Sequence, residues 1–401
     1  MKTASADRYI STKSGVYWQT IFVIFLGSMA AFGAEYCVQP LIPAIARDFA
    51  LTPVSGSIAV SAGLLGMALA MLFIAVIGPR LDRKRVTAFA LMLSALITIG
   101  IGFCANFHLI VAMRFLQGVI LAAFPTLMIA YINEEFEPSS VGSVLGIYIG
   151  GNALGGLAGR LAVSAFTDFF DWRTGLMCIG VIYLIIGALV LFMLPKPKFV
   201  RPAYKGHLKI GSVLKNMFSD KRLLLVYLIA LCAMGSFVAV YNFITYVLLH
   251  PPYNLSQTAI GFIFVTYLFG SVSSAVMGRK TDTWGNAKVI LVSVCAAIAG
   301  LVISLLPPLW GKIAGLILFT CGFFGCHTAA CGWVGKLNKG DKAISSSLYM
   351  FFYYTGASSL GSLAGIFLQH WGWPGVVAMV CCAEALCLAL LAGVKRSLNN
   401  C

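Results

Sequence analysis

Charge is what this sequence has least of. Of its 401 residues only 10% are Asp, Glu, Lys or Arg, and 13 acidic side chains stand against 28 basic ones. A soluble chain of this length needs far more charge to cover its surface, which excludes a soluble globular fold. A cleavable secretion signal is also missing. The first 17 residues are polar and carry Lys2, Arg8 and Lys13, with no short apolar core and no small-residue cleavage site. The first apolar run therefore reads as an uncleaved anchor. A disulfide framework is missing too: nearly all of the 12 cysteines lie inside apolar runs, and Cys401 is terminal. They read as small hydrophobes in helix packing. Cys321, Cys326, His327 and Cys331 form one cluster, but at about 100° per residue only His327 and Cys331 share a helical face. Zinc needs a fuller ligand set, so no metal and no cofactor is expected. No nucleophile–base set, phosphate loop or nucleotide motif occurs, so an enzyme is not expected. No segment outside the apolar runs is large enough for an ATPase domain, which leaves an ion gradient or the substrate's own gradient as the energy source.

Apolar length is what the chain has in abundance. Hydrophobic residues make up 60% of it, and the mean hydropathy is +0.92. Twelve apolar runs span 18–39, 56–77, 86–105, 109–131, 142–164, 174–194, 223–248, 258–277, 288–306, 312–334, 344–366 and 373–393. Each can cross about 30 Å of hydrocarbon as a helix. Lipid offers no partner for backbone N–H and C=O groups, so helices are required. The expected fold is an all-α membrane protein of twelve transmembrane helices. The longest polar stretch, 195–222, contains Pro195, Pro197 and Pro202, which stop the sixth helix. It divides the chain into an N-terminal six-helix bundle (1–194), a basic linker (195–222) and a C-terminal six-helix bundle (223–401). The rest of the linker suits a short amphipathic helix on the membrane surface.

The positive charge is distributed by side. With the N-terminus placed in the cytoplasm, 23 of the 28 Lys and Arg fall in cytoplasmic segments. Three (Arg47, Arg173, Lys312) fall outside, and Arg114 and Arg160 lie within spans. Such a bias predicts both termini in the cytoplasm. It also accounts for the net charge of +15 as membrane orientation, so no nucleic-acid partner is expected. The partners expected are membrane lipid, a small-molecule substrate and protons, with the chain acting as a monomer in a bacterial inner membrane.

A short polar phrase is written twice. GPRLDRKR (78–85) joins runs two and three, and GRKTDTWG (278–285) joins runs eight and nine. Each has a Gly followed four residues later by an Asp among cations. Small residues repeat as well: Gly151, Gly155 and Gly159 in run five, and Ala357, Gly361 and Gly365 in run eleven. Such faces let helices approach closely in lipid. Each run is followed by an aromatic turn, FFDWRTG and QHWGWPG. Parallel six-helix repeats describe a large class of secondary transporter.

These residues resemble the major facilitator superfamily over essentially the whole chain. Gly78, Asp82 and Arg83 match its signature between helices 2 and 3, although the Gly usual two residues after the Arg is missing. Gly278, Asp282 and Gly285 form the second-half copy, without the Arg. RFLQG (114–118) is similar to the helix-4 motif. GNALGG (151–156) resembles the antiporter motif of drug/proton exchangers, with Asn152 where Pro is usual. More narrowly, RFLQG, AYINEEFEPS, GNALGGLAGR, FTDFFDWR and FFGCHTAACGWVG together resemble YnfM-type bacterial inner-membrane transporters. The resemblance implies a proton-coupled secondary transporter that exports a small organic compound or drug by alternating access. The alternative is uptake or facilitated exchange of a metabolite such as a carboxylate, paired with Arg114 or Arg160.

Ionisable groups inside spans are costly and point to function; here they are Glu35, Arg114, Arg160, His327 and Glu384. A carboxylate in an apolar cavity can bind and release protons near neutral pH. Glu35 is therefore the candidate coupling site and a candidate attractor for a cationic substrate, or else a packing carboxylate. Arg114 needs a partner; the resemblance implies proton coupling, and the alternative is a structural ion pair. An unperturbed imidazole titrates at about 6.5, which suits His327 to proton traffic; the alternative is a satisfied core histidine. Arg160 is expected near the outer end, snorkelling to the interface, or binding an anion. Glu384 is expected to be peripheral. Candidate cavity residues are Gln39, Gln117, Asn152, Asn242, Tyr246 and Tyr353, with Tyr241 and Tyr349 beside them. Asp82 and Asp282 are expected to cap the following helices. With Gly78, Arg83 and Gly278 they form, by resemblance, a conformational latch favouring the outward-open state.

Overall fold

The computed structural model describes residues 9–12, 14–198, 220–337 and 342–399. Among them the architecture is helical; one isolated bridge pairs Ile10 with Phe136. Most of the 195–222 linker lies outside the described residues, its proposed amphipathic helix included.

Eleven continuous stretches are long and apolar enough to cross a membrane. We number them by crossing. α1 (Tyr17–Asp48) passes through a short 3-10 turn at Gln39–Leu41. It is followed by α2 (Pro53–Ile77), α3 (Arg83–Gly102), α4 (Phe107–Glu135), α5 (Val141–Phe169) and α6 (Trp172–Met193). Then come α7 (Lys221–Leu249), α8 (Gln257–Trp284), α9 (Asn286–Ile303) and α10 (Leu309–Leu337). The last stretch, Lys342–Asn399, is 58 residues long and carries two crossings. At about 1.5 Å per residue it would be far longer than a bilayer is thick. It breaks at Gly372 (φ 61, ψ −155), a conformation that side chains disfavour and glycine tolerates. The chain reverses there. Gly356 packs on Leu231 and Cys387 bonds the Ile229 carbonyl, so residues on both sides of Gly372 meet the same turn of α7. The two arms are α11 (342–371) and α12 (373–399), which makes twelve crossings.

Small residues set the closest approaches. A Cβ on Gly118 would stand 1.9 Å from the Gly63 carbonyl oxygen, so α4 and α2 touch backbone to backbone. Gly151, Gly155 and Gly159 lie against α1, where a Cβ on Gly155 would stand 2.3 Å from Met29 Cα.

Hydrogen bonds between the first six and the last six helices cluster toward the face opposite the termini. Ser362 of α11 bonds Ser57 at 3.0 Å and Ser61 at 2.6 Å on α2. Tyr246 of α7 donates to the Ile42 carbonyl at 3.4 Å. Asp168 at the end of α5 accepts the Gln257 and Thr258 backbone N–H groups at 3.0 and 2.7 Å, and so caps α8.

Candidate functional site

Of the three buried arginines among the described residues of the first six helices, Arg83 begins α3, while Arg114 and Arg160 lie within spans and have unequal surroundings. Arg114 (0% exposed) rises from α4 between α1 and α2. Its Nε donates to the Ala59 carbonyl at 3.1 Å, Nη1 to the Ala34 carbonyl at 3.2 Å, and Nη2 to the Glu35 carbonyl at 2.6 Å. Nη1 also bonds the Gln117 side-chain oxygen. Gln117 Nε2 in turn donates to Ser94 and Thr98 of α3. The Glu35 carboxylate faces Arg114 Nη2 at 3.5 Å, and neither of its oxygens has a hydrogen-bond partner. Gly63 makes the room: a Cβ there would stand 2.7 Å from Glu35 Oε1 and 2.9 Å from Arg114 Nη2. The structure thus brings Glu35, Arg114 and Gln117 together. Their short contacts put the guanidinium in the hands of neutral oxygens and leave the carboxylate with Coulomb attraction alone.

Arg160 is not at the interface; it is 2% exposed and points into the centre of the molecule. Helix α5 runs along the central cavity, so a residue toward its C-terminal end reaches inward, where the run length alone suggested a snorkelling position. Nε and Nη2 donate to Gln39 Oε1 at 2.9 and 2.7 Å, and Nη1 to the Gly156 carbonyl at 2.8 Å. Gln39 Nε2 then donates to Asn242 Oδ1 at 2.8 Å, and Asn242 Nδ2 to the Gly361 carbonyl at 3.3 Å. A buried polar chain therefore runs from α5 through α1 to α7 and α11. The guanidinium carbon also lies 4.5, 4.7 and 4.9 Å from the ring centres of Tyr36, Phe264 and Tyr267.

The central cavity, about 600 Å³, lies between the first six and last six helices. Gln39, Asn152, Tyr353, Arg160 and His327 line it. Three expected cavity residues stand elsewhere. Gln117 is turned toward α3, Asn242 lies behind Gln39, and Tyr246 closes against Ile42 at the face opposite the termini. Each found a protein partner for its polar group, which apolar periodicity cannot foresee. Glu35 is absent from the wall, so it is not placed to attract a substrate cation, whereas its neighbour Tyr36 faces the cavity. His327 Nδ1 pairs with the Tyr349 hydroxyl at 2.9 Å, away from Glu35 and Arg114. Tyr349 and Tyr353 stack with ring centres 6.3 Å apart. Tyr241 bonds Thr320 at 2.6 Å inside the last six helices. Glu384 is not peripheral: at 2% exposure it is packed inside the last six helices.

The repeated polar phrases differ in structure. Gly78 begins a 3-10 turn, and Asp82 caps α3 by accepting from the Arg85 N–H at 3.0 Å. Arg83 pairs with Glu134 of α4 at 2.5 Å. Gly278 and Asp282 lie inside α8, which continues to Trp284, so Asp282 caps nothing; Gly285, at φ 77, makes the break instead. Sequence reasoning missed Glu134 and Asp168. Each sits at a helix end, where a carboxylate reads as ordinary turn chemistry.

A twelve-crossing helical membrane protein, with its cavity between two sets of six helices, is the architecture of a secondary transporter. Residues 24–335 match the Major Facilitator Superfamily, and the chain belongs to it. It is 35% identical to the MFS-type transporter YybF of Bacillus subtilis (strain 168), over 98% of this chain and 97% of YybF. It is 34% identical to the inner membrane transport protein YnfM of Escherichia coli (strain K12), over 97% of this chain and 93% of YnfM. Among solved structures, a point mutant of the nucleoside transporter NupG superposes with a TM-score of 0.75 at 16% identity, over 93% of this chain and 99% of NupG. A bacterial homologue of the lysosomal transporter Spinster, inward-facing and unoccupied, gives 0.71 at 14% identity, over 96% of this chain and 95% of the homologue. The protein is a membrane transporter and not an enzyme.

Proposed function

We propose that this transporter is proton-coupled and exports a small organic compound across a bacterial inner membrane, with both termini in the cytoplasm. The observation that carries the reading is the unequal Glu35–Arg114 pair. Protonating Glu35 removes a charge without breaking a hydrogen bond, because Arg114 is already held by four oxygens of α1, α2 and the Gln117 side chain. The site can therefore change charge while the fold around it holds. Glu35 adjoins Tyr36, and Gln39 follows one turn on, so a change in its charge acts on the cavity wall at short range. In the alternating-access cycle the first and last six helices rock about the cavity. The links at Ser362, Tyr246 and Asp168 close the face opposite the termini, which supports an inward-facing arrangement. Asp82 and Arg83 engage partners within their own half here, in keeping with a latch that forms when the other face opens.

The test uses inside-out vesicles carrying an imposed pH gradient and a pH-sensitive dye. Exporter substrates should dissipate the gradient in wild-type vesicles and leave it intact with Glu35→Gln. Equal dissipation in both would remove Glu35 from coupling. Drug and metabolite panels that accumulate only in the opposite direction would replace export by uptake.

A further inference from the structure

Arg114 has an acidic neighbour and Arg160 has none among the described residues. Of those lining the cavity, Arg160 is the one permanent charge, and no carboxylate is among them. An uncompensated cation far from water is costly. Here it is offset by two neutral oxygens, those of Gln39 and Gly156, and by three aromatic faces. Three N–H groups are spent on those oxygens, and a guanidinium has five, in a planar fork that matches a carboxylate.

The wall beyond Arg160 is built along one helix. Tyr148, Asn152, Gly156 and Arg160 recur every four residues on α5, and all line the cavity. The stripe is about 18 Å long at about 1.5 Å per residue. Gly156 keeps it open beside the guanidinium, since a Cβ there would stand 3.2 Å from Arg160 Nη1. The Tyr148 hydroxyl and Asn152 Oδ1 are buried, belong to residues of the cavity wall, and have at most each other as partners. Buried polar atoms left incompletely paired are rare, and here they lie on the wall of a cavity large enough for a drug-sized molecule. Opposite the stripe stand the rings of Phe237, Tyr267, Phe323 and Tyr353.

We propose that the cavity binds a small organic anion with a flat apolar body. Its carboxylate sits on Arg160, its ring lies between the α5 stripe and the facing aromatics, and a polar substituent reaches Asn152 and Tyr148. This inference rests on the transport reading and names the substrate class of the same cavity. Arg160 is also tied through Gln39 to Asn242 of α7, so an anion held by its two unspent N–H groups shares the guanidinium's charge and weakens its hold on Gln39. Occupancy would then loosen one link between the first and last six helices.

Binding is measured on the purified full-length protein in detergent, without any gradient, so failure of proton coupling cannot masquerade as failure of this site. The probes are benzoate, 2-naphthoate and biphenyl-4-carboxylate, each beside its uncharged amide and its matching aryl ammonium. The readout is saturable thermal stabilisation. At least one carboxylate should stabilise the protein, with its amide and ammonium weaker by about tenfold or more, the loss expected when a charge-assisted hydrogen bond goes. Arg160→Gln should abolish the carboxylate's advantage over its amide. Arg160→Lys, which keeps the charge and loses the fork, should restore part of it. Asn152→Ala should weaken a hydroxylated naphthoate more than the parent naphthoate, and it leaves Arg160 untouched should Arg160→Gln fold poorly. Preference for the ammonium probes, no response to any probe, or an unchanged carboxylate preference in Arg160→Gln would each overturn the proposal.

Discussion

Glu35 and Arg114 stand 3.5 Å apart, but they depend on each other unequally. Removing Glu35 leaves the guanidinium with four oxygen partners. Removing Arg114 leaves a buried carboxylate with no partner at all, the situation that costs about 3–5 kcal/mol in other buried pairs. Arg114→Gln should therefore lower the melting temperature of the purified protein clearly more than Glu35→Gln does. Equal losses would mean that the carboxylate, and not the carbonyls, anchors the arginine. Both residues were legible in the sequence, because an ionisable group inside an apolar run is rare enough to stand out. The division of labour was not legible. Arg114 bonds the main chain of α1 and α2, and carbonyls carry no sequence signal. Arg160 looked like an interfacial cation for a different reason: the side chain it reaches is 121 positions away.

Helix-to-helix contacts turn these side chains into a device. The α2–α4 crossing at Gly63 and Gly118 places Arg114 against α1, and there is no space for a methyl group at the crossing. Gly118→Ala should destabilise by about 1–3 kcal/mol through overpacking and should impair transport, whereas Gly142→Ala, where a Cβ meets nothing within 4 Å, should do neither. Similar stability and activity for the two variants would show that the crossing is looser than its backbone contact implies. At the face opposite the termini, Asp168 caps a helix of the other six-helix set. Asp168→Ala should weaken closure there, seen as a longer distance between spin labels placed on the ends of α5 and α8. An unchanged distance would make the cap incidental. Small-residue spacing marked the close-packing face of α5 in advance, though not that α1 covers it. It could not expose the Asp168 cap, which depends on how two distant loops meet, nor the continuous α11–α12 stretch, in which one glycine conformation replaces a loop.

The distribution of apolar runs over the whole chain announced the helical membrane class, and residues 24–335 place it in the Major Facilitator Superfamily. The cavity was less legible. Of six expected lining residues, Gln39, Asn152 and Tyr353 are on the wall, while Gln117, Asn242 and Tyr246 are turned into protein. The difference lies in which neighbour each polar group found, a property of packing and not of spacing. Positive charge gathered on one side predicts that a fluorescent protein fused after Cys401 will fluoresce. It also predicts that alkaline phosphatase fused at Asp171 will be active; the reverse pattern would invert the topology. The most direct test of the proposed coupling watches the Glu35 carboxyl itself. Infrared difference spectra of membranes titrated with acid should show a protonated-carboxyl C=O band that disappears with Glu35→Gln and persists with Glu384→Gln. A spectrum in which Glu35→Gln removes no titrating band would contradict a proton-carrying Glu35.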